Sequence, residues 1–315
     1  MIARRTFIKR VSMAAVAATA SGMSVRRSDA GQLPNSSGNE RPRTKAPANA
    51  ADCHVHIYDA RFQSALAALP GATVRDYRLL QQRNGTSRVV IVTPRNYVTD
   101  NAVTLDAIRQ FGANARGVAV LRPTVTDAEL KSLNEGGIRG IRFTVADPSV
   151  AVVSIDMIEP LAGRVADLGW HVQLNMAREQ IVDNAELLRR LPVPIVFDHL
   201  GRLTPPAGIE HPAYGVIRGL IDKGRTWVKL SGAYSNSSIG PPTYADATRV
   251  AQAYVKAAPE RLVWGSDWPH PSETEHKPDD ALLFDLLATW APDETTRNRI
   301  LVQNPESLYG FVART

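Results

Sequence analysis

Over residues 51–315 the chain alternates eight short β-branched runs with longer amphipathic stretches, and this alternation predicts a (β/α)8 TIM barrel. Two further observations agree. The 265 residues of that body match the roughly 250 that one such barrel uses. No G-x-G-x-x-G follows the first run, so the Gly-rich first turn of the runner-up architecture, a doubly wound open sheet, is missing.

The elements follow in order. Residues 52–57 read Asp-Cys-His-Val-His-Ile, an alternation that suits a strand with one polar face. Residues 88–93 are rich in Val and Ile, the composition of a parallel strand covered on both sides. Shorter strands are expected at 117–121, 140–143 and 171–175, preceded by amphipathic stretches at 101–111, 127–134 and 155–168. Helices 179–191, 213–223 and 245–258 lead into strands 195–198, 227–231 and 262–265. Leu191-Pro192-Val193-Pro194 and Ala258-Pro259 stop helices, because proline has no N–H to donate and disfavours helix in the residue before it. Residues 281–290 and 294–302 read as the closing helices.

Charge is unevenly placed. The chain carries 37 Lys+Arg and 31 Asp+Glu, a formal +6, but residues 1–50 hold nine of the bases and two of the acids. The body keeps 28 bases and 29 acids, so it offers no basic stripe to a nucleic acid. The basic excess reads as an address. Arg4-Arg5-Thr6-Phe7-Ile8-Lys9, followed by a weakly apolar Ala-rich stretch, resembles a twin-arginine export signal, with a small-x-Ala cut after Ala30. Residues 1–30 are thus expected to be a signal peptide for the twin-arginine translocase and residues 31–50 a disordered linker. Residues 51–315 are expected to form a single domain acting in the periplasm. The lone Cys53 excludes an intrachain disulfide and a cysteine-built metal centre. No apolar run reaches the length of about 18 residues needed for stable membrane insertion.

In such a barrel, reactive residues belong at the C-terminal ends of the strands. Strand period two places Asp52, His54 and His56 on one face of the first strand and Cys53, Val55 and Ile57 on the other. Two imidazoles on an inward face are costly to bury without partners, so they bind a metal or donate to a substrate oxygen. His199 ends the sixth strand before a Gly turn, in Phe197-Asp198-His199-Leu200-Gly201-Arg202. Asp267 ends the eighth, in Trp264-Gly265-Ser266-Asp267-Trp268-Pro269-His270-Pro271, where apolar walls are expected to raise its pKa and prepare it as a general base.

His-x-His on strand one, a His after strand six and an Asp after strand eight resemble the amidohydrolase superfamily. The wording D-C-H-V-H, F-D-H-L-G-R and W-G-S-D-W-P-H-P is similar to its lactone-hydrolysing branch, which contains the 2-pyrone-4,6-dicarboxylate lactonases and 4-sulfomuconolactone hydrolases. The likeness runs from about Ala51 to Leu308-Tyr309-Gly310. It implies that Asp267 takes a proton from the attacking water while His54, His56 and His199 polarise the lactone carbonyl, in the degradation of an aromatic compound. Aldarolactone isomerisation within the same branch, and metal-dependent amidohydrolase or decarboxylase chemistry, are the alternatives within enzymes. A periplasmic binding module is the alternative outside them.

Strand four, Gly140-Ile141-Arg142-Phe143, lacks the Lys of binuclear members, and His171 stands at the start of strand five, leaving Gln173 or Asn175 at its inward C-terminal end. The resemblance therefore implies either no cofactor or one zinc ion, held by His54, His56 and Asp267. Arg95, Arg142, Arg178 and Arg202 near strand ends suit an anionic substrate, with hydroxyls from Tyr97, Ser235 and Ser237. The rim departs from the dicarboxylate lactonase pattern. Pro148 replaces a basic residue, Ser231-Gly232-Ala233-Tyr234-Ser235-Asn236 lacks an Arg, and Arg95 stands where that pattern has a Ser. These departures favour a muconolactone-type substrate with two anionic groups, 4-sulfomuconolactone among them.

Overall fold

The computed structural model describes residues 33–65 and 70–313, so the expected signal peptide over residues 1–30 lies outside the described residues. Eight strands form one sheet in the order β1 (Ala51–Val55), β2 (Arg88–Val92), β3 (Ala115–Ala119), β4 (Ile138–Thr144), β5 (His171–Asn175), β6 (Ile195–Phe197), β7 (Thr226–Leu230) and β8 (Leu262–Trp264). Each pairs in parallel with the next. The residues after β8 return to β1: the Asp267 N–H donates to the His54 carbonyl over 2.9 Å and the His56 N–H to the Trp268 carbonyl over 2.9 Å. The result is a (β/α)8 barrel, as the alternation predicts.

Helices lie between the strands: α1 (Val74–Asn84), α2 (Ala102–Phe111), α3 (Asp127–Glu135), α4 (Ile158–Val165), α5 (Arg178–Asp183), α6 (Ala185–Arg190), α7 (Pro212–Asp222) and α8 (Ala245–Ala257). After β8 come α9 (Asp280–Trp290), α10 (Glu294–Asn298) and α11 (Asn304–Tyr309). Thr73 and Asp76 form a reciprocal capping box that starts α1, an element the hydrophobic rhythm alone does not announce. The stretch expected as one helix over 179–191 is broken at Asn184 into α5 and α6. A π turn over Arg299–Gln303 interrupts the closing helix.

Two apolar clusters divide the interior. Ala51, Cys53, Val90, Val118, Val196 and Val263 pack with Tyr309 and Phe311 as the plug of the barrel. Val55, Ile91, Phe143, Leu174, Phe197 and Trp264 pack outward with helix residues such as Leu161, Ile217 and Phe284. Burying side chains of this size contributes about 1.5–3 kcal/mol each.

The strict alternation expected for β1 does not hold. Its register shifts between Asp52 and Val55. Cys53 joins the inner plug, while Asp52 turns to Tyr77 of α1 and to Ser266, whose hydroxyls donate to it over 3.1 and 2.6 Å. An extra residue in one strand switches which side chains point inward, so Asp52 leaves the face that carries His54 and His56. The close approach of β8 to β1 needs Gly265: a Cβ there would lie 2.7 Å from the His54 Cβ and 2.9 Å from its backbone nitrogen.

Residues 33–50 are also corrected, for they pack on the barrel instead of forming a free linker. The Trp268 indole donates to the Pro34 carbonyl over 3.0 Å, Arg83 pairs with Asp279 at 2.6 Å and donates to the Glu40 carbonyl, and Leu33 is buried. A polar, Pro-rich composition conceals such anchoring, because many of the bonds are made by its backbone, with the side chains of Asn35 and Ser36 adding others.

Candidate active site

At the C-terminal end of β1, His54 and His56 are buried and turn their Nε2 atoms toward each other, 3.2 Å apart. The His56 Nδ1 lies 2.8 Å from the Val92 carbonyl at the end of β2. Burial holds both rings neutral. It lowers His54 well below the imidazole range, assisted by Lys229, and it lowers His56 to about 4, assisted by Arg142.

Asp267 follows β8 and brings its Oδ1 to 3.5 Å from the His54 Nε2 and 3.6 Å from the His56 Nε2. Its other oxygen accepts a 2.5 Å hydrogen bond from Tyr234 and stands 3.9 Å from the His199 Nδ1. His199 lies 3.0 Å from the Ser231 hydroxyl, and its ring is lowered by burial. The expectation of a raised Asp267 is overturned. Burial alone would raise it, but His199, His54, His56 and the Tyr234 hydroxyl outweigh that and hold it well below the usual carboxylate range. Asp267 and His199 both sit at positive φ, 64° and 46°. Non-glycine residues in that region cost on the order of 1 kcal/mol or more, and here the turns at the strand ends impose it.

Behind this layer lies a charged group that the sequence reading did not assign. Lys229 on β7 is fully buried and donates to the Cys53 carbonyl at 2.8 Å and to the Gln173 Oε1 at 2.7 Å. It also lies 3.2 Å from the His54 Nδ1. Burial lowers it to about 8, with Asp198 opposing. Asp198 accepts from Arg142 Nε at 2.9 Å and from Gln173 Nε2 at 3.1 Å. Burial would raise this carboxyl, yet Arg142, His54 and Lys229 hold it well below its usual range. A lysine inside the otherwise apolar Thr-Trp-Val-Lys-Leu strand was the available signal, the same signal that marks Arg142 in β4.

A cavity of about 390 Å³ opens above these groups, lined at its base by His56, His199 and Asp267 and at its rim by Arg95, Arg142 and Arg202. Tyr58, Asn96, Thr144, Asn175 and Ser235 complete its polar wall. Arg202 donates to Asn175 over 3.3 Å. Other expected rim residues lie elsewhere. Arg178 is spent on the Thr204 carbonyl at 2.8 Å and on Glu179, Tyr97 is buried and holds the Asp59 backbone, and Ser237 bonds Asp246. Each position follows a strand, but the loops turn those side chains into their own frameworks. His171 is buried low in the barrel against Gly140, where a Cβ would meet its ring at 2.4 Å, and against Tyr309.

The donor atoms of His54, His56 and Asp267 fit one metal ion in shape. Their spacings of 3.2, 3.5 and 3.6 Å are close to the edges of roughly 3.3 Å in a tetrahedral zinc site with bonds of about 2.0–2.1 Å. A second grouping, His54, Asp198 and His199, is less free, because Arg142 and Gln173 already occupy Asp198.

The amidohydrolase family model matches residues 51–311. The chain is 32% identical over 282 residues to a 2-pyrone-4,6-dicarboxylate hydrolase of Comamonas testosteroni, covering 85% of this chain and 92% of that protein. It is 32% identical over 274 residues to a 4-sulfomuconolactone hydrolase of Rhizobium radiobacter, covering 84% and 91%. It is also 32% identical over 277 residues to the D-galactarolactone isomerase of Agrobacterium fabrum, covering 85% and 93%. Among solved structures, an Agrobacterium tumefaciens protein without ligand superposes with a TM-score of 0.81 at 31% identity, covering 89% of this chain and 99% of that one. A probable 2-pyrone-4,6-dicarboxylic acid hydrolase of Acinetobacter baumannii with citric acid bound gives 0.72 at 27% identity, covering 84% and 100%.

Proposed function

The chain belongs to the amidohydrolase family, and on that premise we propose that it opens the ring of a small anionic lactone by hydrolysis. The observation that carries this reading is Asp267, held ionised at 3.5 and 3.6 Å from two neutral imidazoles, at the base of a cavity rimmed by Arg95, Arg142 and Arg202. Asp267 accepts a proton from water as its oxygen adds to the lactone carbonyl carbon. His54 and His199 polarise that carbonyl and steady the oxyanion as it forms, while His56, whose Nδ1 proton goes to the Val92 carbonyl, lines the base as an acceptor. The acyl–oxygen bond then breaks, and the proton on Asp267 passes to the departing ring oxygen. Should zinc be bound by His54, His56 and Asp267, it would supply Lewis-acid polarisation at the same place.

The arginines suit an anionic substrate. Arg142 keeps only its Nε on Asp198, and among the described residues Arg95 makes no ion pair, so the rim can take two anionic groups bidentately. A muconolactone carrying a carboxylate and a second anion, 4-sulfomuconolactone among them, meets that requirement. The sulfomuconolactone hydrolase relative and the citrate in the Acinetobacter structure support an anionic ligand.

A second reading, lactone isomerisation, is favoured by the Agrobacterium relative and by a cavity wall rich in amides and hydroxyls (Asn96, Thr144, Asn175, Ser235) that suit a polyhydroxylated substrate. One experiment separates the two. The purified protein is assayed against a panel of anionic lactones in a pH-stat, with and without chelator, and products are identified. Hydrolysis releases one proton per turnover, whereas isomerisation yields a rearranged lactone and no acid. Absence of turnover on every anionic lactone would overturn both.

The place of action we assign is the periplasm, supported by Arg4-Arg5 and the Ala-rich stretch behind them. A reporter fused after residue 50 should be exported and should stay in the cytoplasm when Arg4 and Arg5 are both replaced by Lys. Export unaffected by that change would overturn the assignment.

A further inference from the structure

We propose that Lys229 is a positioning residue that holds His54 in the tautomer with its proton on Nε2 and thereby sets this site against binding a divalent metal. The inference rests on the reading of His54, His56 and Asp267 as the active site, and it adds a residue that selects between metal-free and metal-bound forms of it.

The tautomer follows from a chain of donors and acceptors. A carbonyl oxygen only accepts, so the 2.8 Å contact between the His56 Nδ1 and the Val92 carbonyl puts a proton on that nitrogen. The neutral His56 ring then has only a lone pair at Nε2. His54 Nε2 lies 3.2 Å away, and for that contact to be a hydrogen bond His54 must be the donor. Its Nδ1 is therefore a lone pair, and the group facing it is the Lys229 ammonium at 3.2 Å.

The count at the ammonium closes. Its three N–H groups meet three acceptors: the Cys53 carbonyl at 2.8 Å, the Gln173 Oε1 at 2.7 Å and the His54 Nδ1 at 3.2 Å. The Gln173 amide cannot turn over, because its Nε2 donates to the Asp198 Oδ2 over 3.1 Å. No N–H remains for the other Asp198 oxygen. That Oδ1 lies 3.3 Å from the His54 Nδ1 and 3.6 Å from the Lys229 Nζ, yet it accepts no hydrogen bond.

The unused oxygen marks the alternative. With its proton on Nδ1, His54 would donate to the Asp198 Oδ1 and leave a lone pair at Nε2, as a metal-ligating histidine backed by a carboxylate does. His54, His56 and Asp267 are already spaced for that state. Lys229 opposes it twice. An ammonium N–H would then face an imidazole N–H, and the ammonium's charge repels a cation bound to the same ring.

The test uses the full chain, stripped of metal and 15N-labelled at histidine, with His54 assigned by its loss in His54→Gln. In the unsubstituted protein, His54 should show a protonated Nε2 and a bare Nδ1. Lys229→Met, of similar length but without a donor, should move the proton to Nδ1. It should also tighten zinc binding, titrated with zinc chloride, on the order of 10–100-fold. A His54 proton on Nδ1 in the unsubstituted protein would overturn the proposal. So would unchanged zinc affinity in a folded Lys229→Met. If that variant does not fold, the spectrum of the unsubstituted protein decides alone. Neither readout involves lactone turnover, so the loss of this inference and the loss of the lactonase reading are told apart.

Discussion

The Tyr234 hydroxyl donates to the Asp267 Oδ2 over 2.5 Å, and this bond directs the opposite oxygen, Oδ1, to the two imidazoles of β1. Tyr234 thus both aims the carboxylate and keeps it ionised. Its own ionisation is pushed well above the usual phenol range, by burial first and by Asp267 second, so it stays a donor at every working pH. Removing the hydroxyl in Tyr234→Phe takes away one of the influences that lower Asp267. The carboxyl should then protonate at a higher pH, and the acid limb of the kcat/KM profile should move up. Destabilisation should stay within about 1–3 kcal/mol, the cost of a hydrogen bond lost at a charged group. An acid limb that does not move would show that Asp267 is not the group whose ionisation limits the rate.

Asp267→Asn keeps the shape of the side chain and removes its basicity. Turnover should fall by roughly 10²–10⁴, the usual worth of a general base. Binding of a dianionic product, followed by calorimetry, should persist, since the rim arginines are untouched. Undiminished turnover would remove Asp267 from the mechanism.

Arg202 and Arg178 lie near successive strand ends but only Arg202 lines the cavity. Arg202→Met should raise KM for an anionic lactone by about tenfold or more, the value of a charge-assisted contact of roughly 1.5–3 kcal/mol, with a smaller effect on kcat. Arg178→Met should leave KM near that of the unsubstituted protein, because its guanidinium is bound to Thr204 and Glu179. Equal effects at both positions would mean that the rim extends beyond the cavity described.

His171 carries an acid-stability prediction. Burial first, and Lys229 second, lower its ring from the usual imidazole value to about 3. A histidine whose folded pKa is depressed binds protons more readily when unfolded. Its contribution is therefore complete above about pH 6.5 and is lost as pH falls toward 3. Thermal midpoints measured between pH 7 and 4 should fall less steeply in His171→Leu than in the unsubstituted protein, whatever the variant's midpoint at neutral pH. Parallel slopes would contradict a neutral, buried His171.

Much of the site was legible before folding was considered. His54, His56, His199 and Asp267 are each a reactive type at the expected end of a barrel strand, and the structure brings all of them together around the Asp267 carboxylate. Rhythm also located the strands to within about two residues, since a parallel barrel demands short apolar runs at regular intervals. Arg178, Tyr97 and Ser237 satisfied the same positional rule and went elsewhere, because a loop's conformation, not its place in the chain, aims its side chains. Lys229 interrupts an apolar strand as plainly as Arg142 does, but its partners Cys53, Gln173 and His54 come from other strands and only the closed barrel assembles them.

The sequence by itself determined the architecture, the set His54, His56, His199 and Asp267 and the neutrality of the body, because hydrophobic period, residue type and charge count are local properties of a chain. Tertiary structure decided what is relational. It turned Asp52 out of the His54 face through a shift in the register of β1. It pinned residues 33–50 through Trp268 and Arg83. It held Asp267 low where apolar neighbours in sequence suggested the reverse, and it set a lysine 175 positions away against His54. A pKa and a tautomer depend on which charges and donors stand within a few ångströms, and only the closed barrel brings those groups that near.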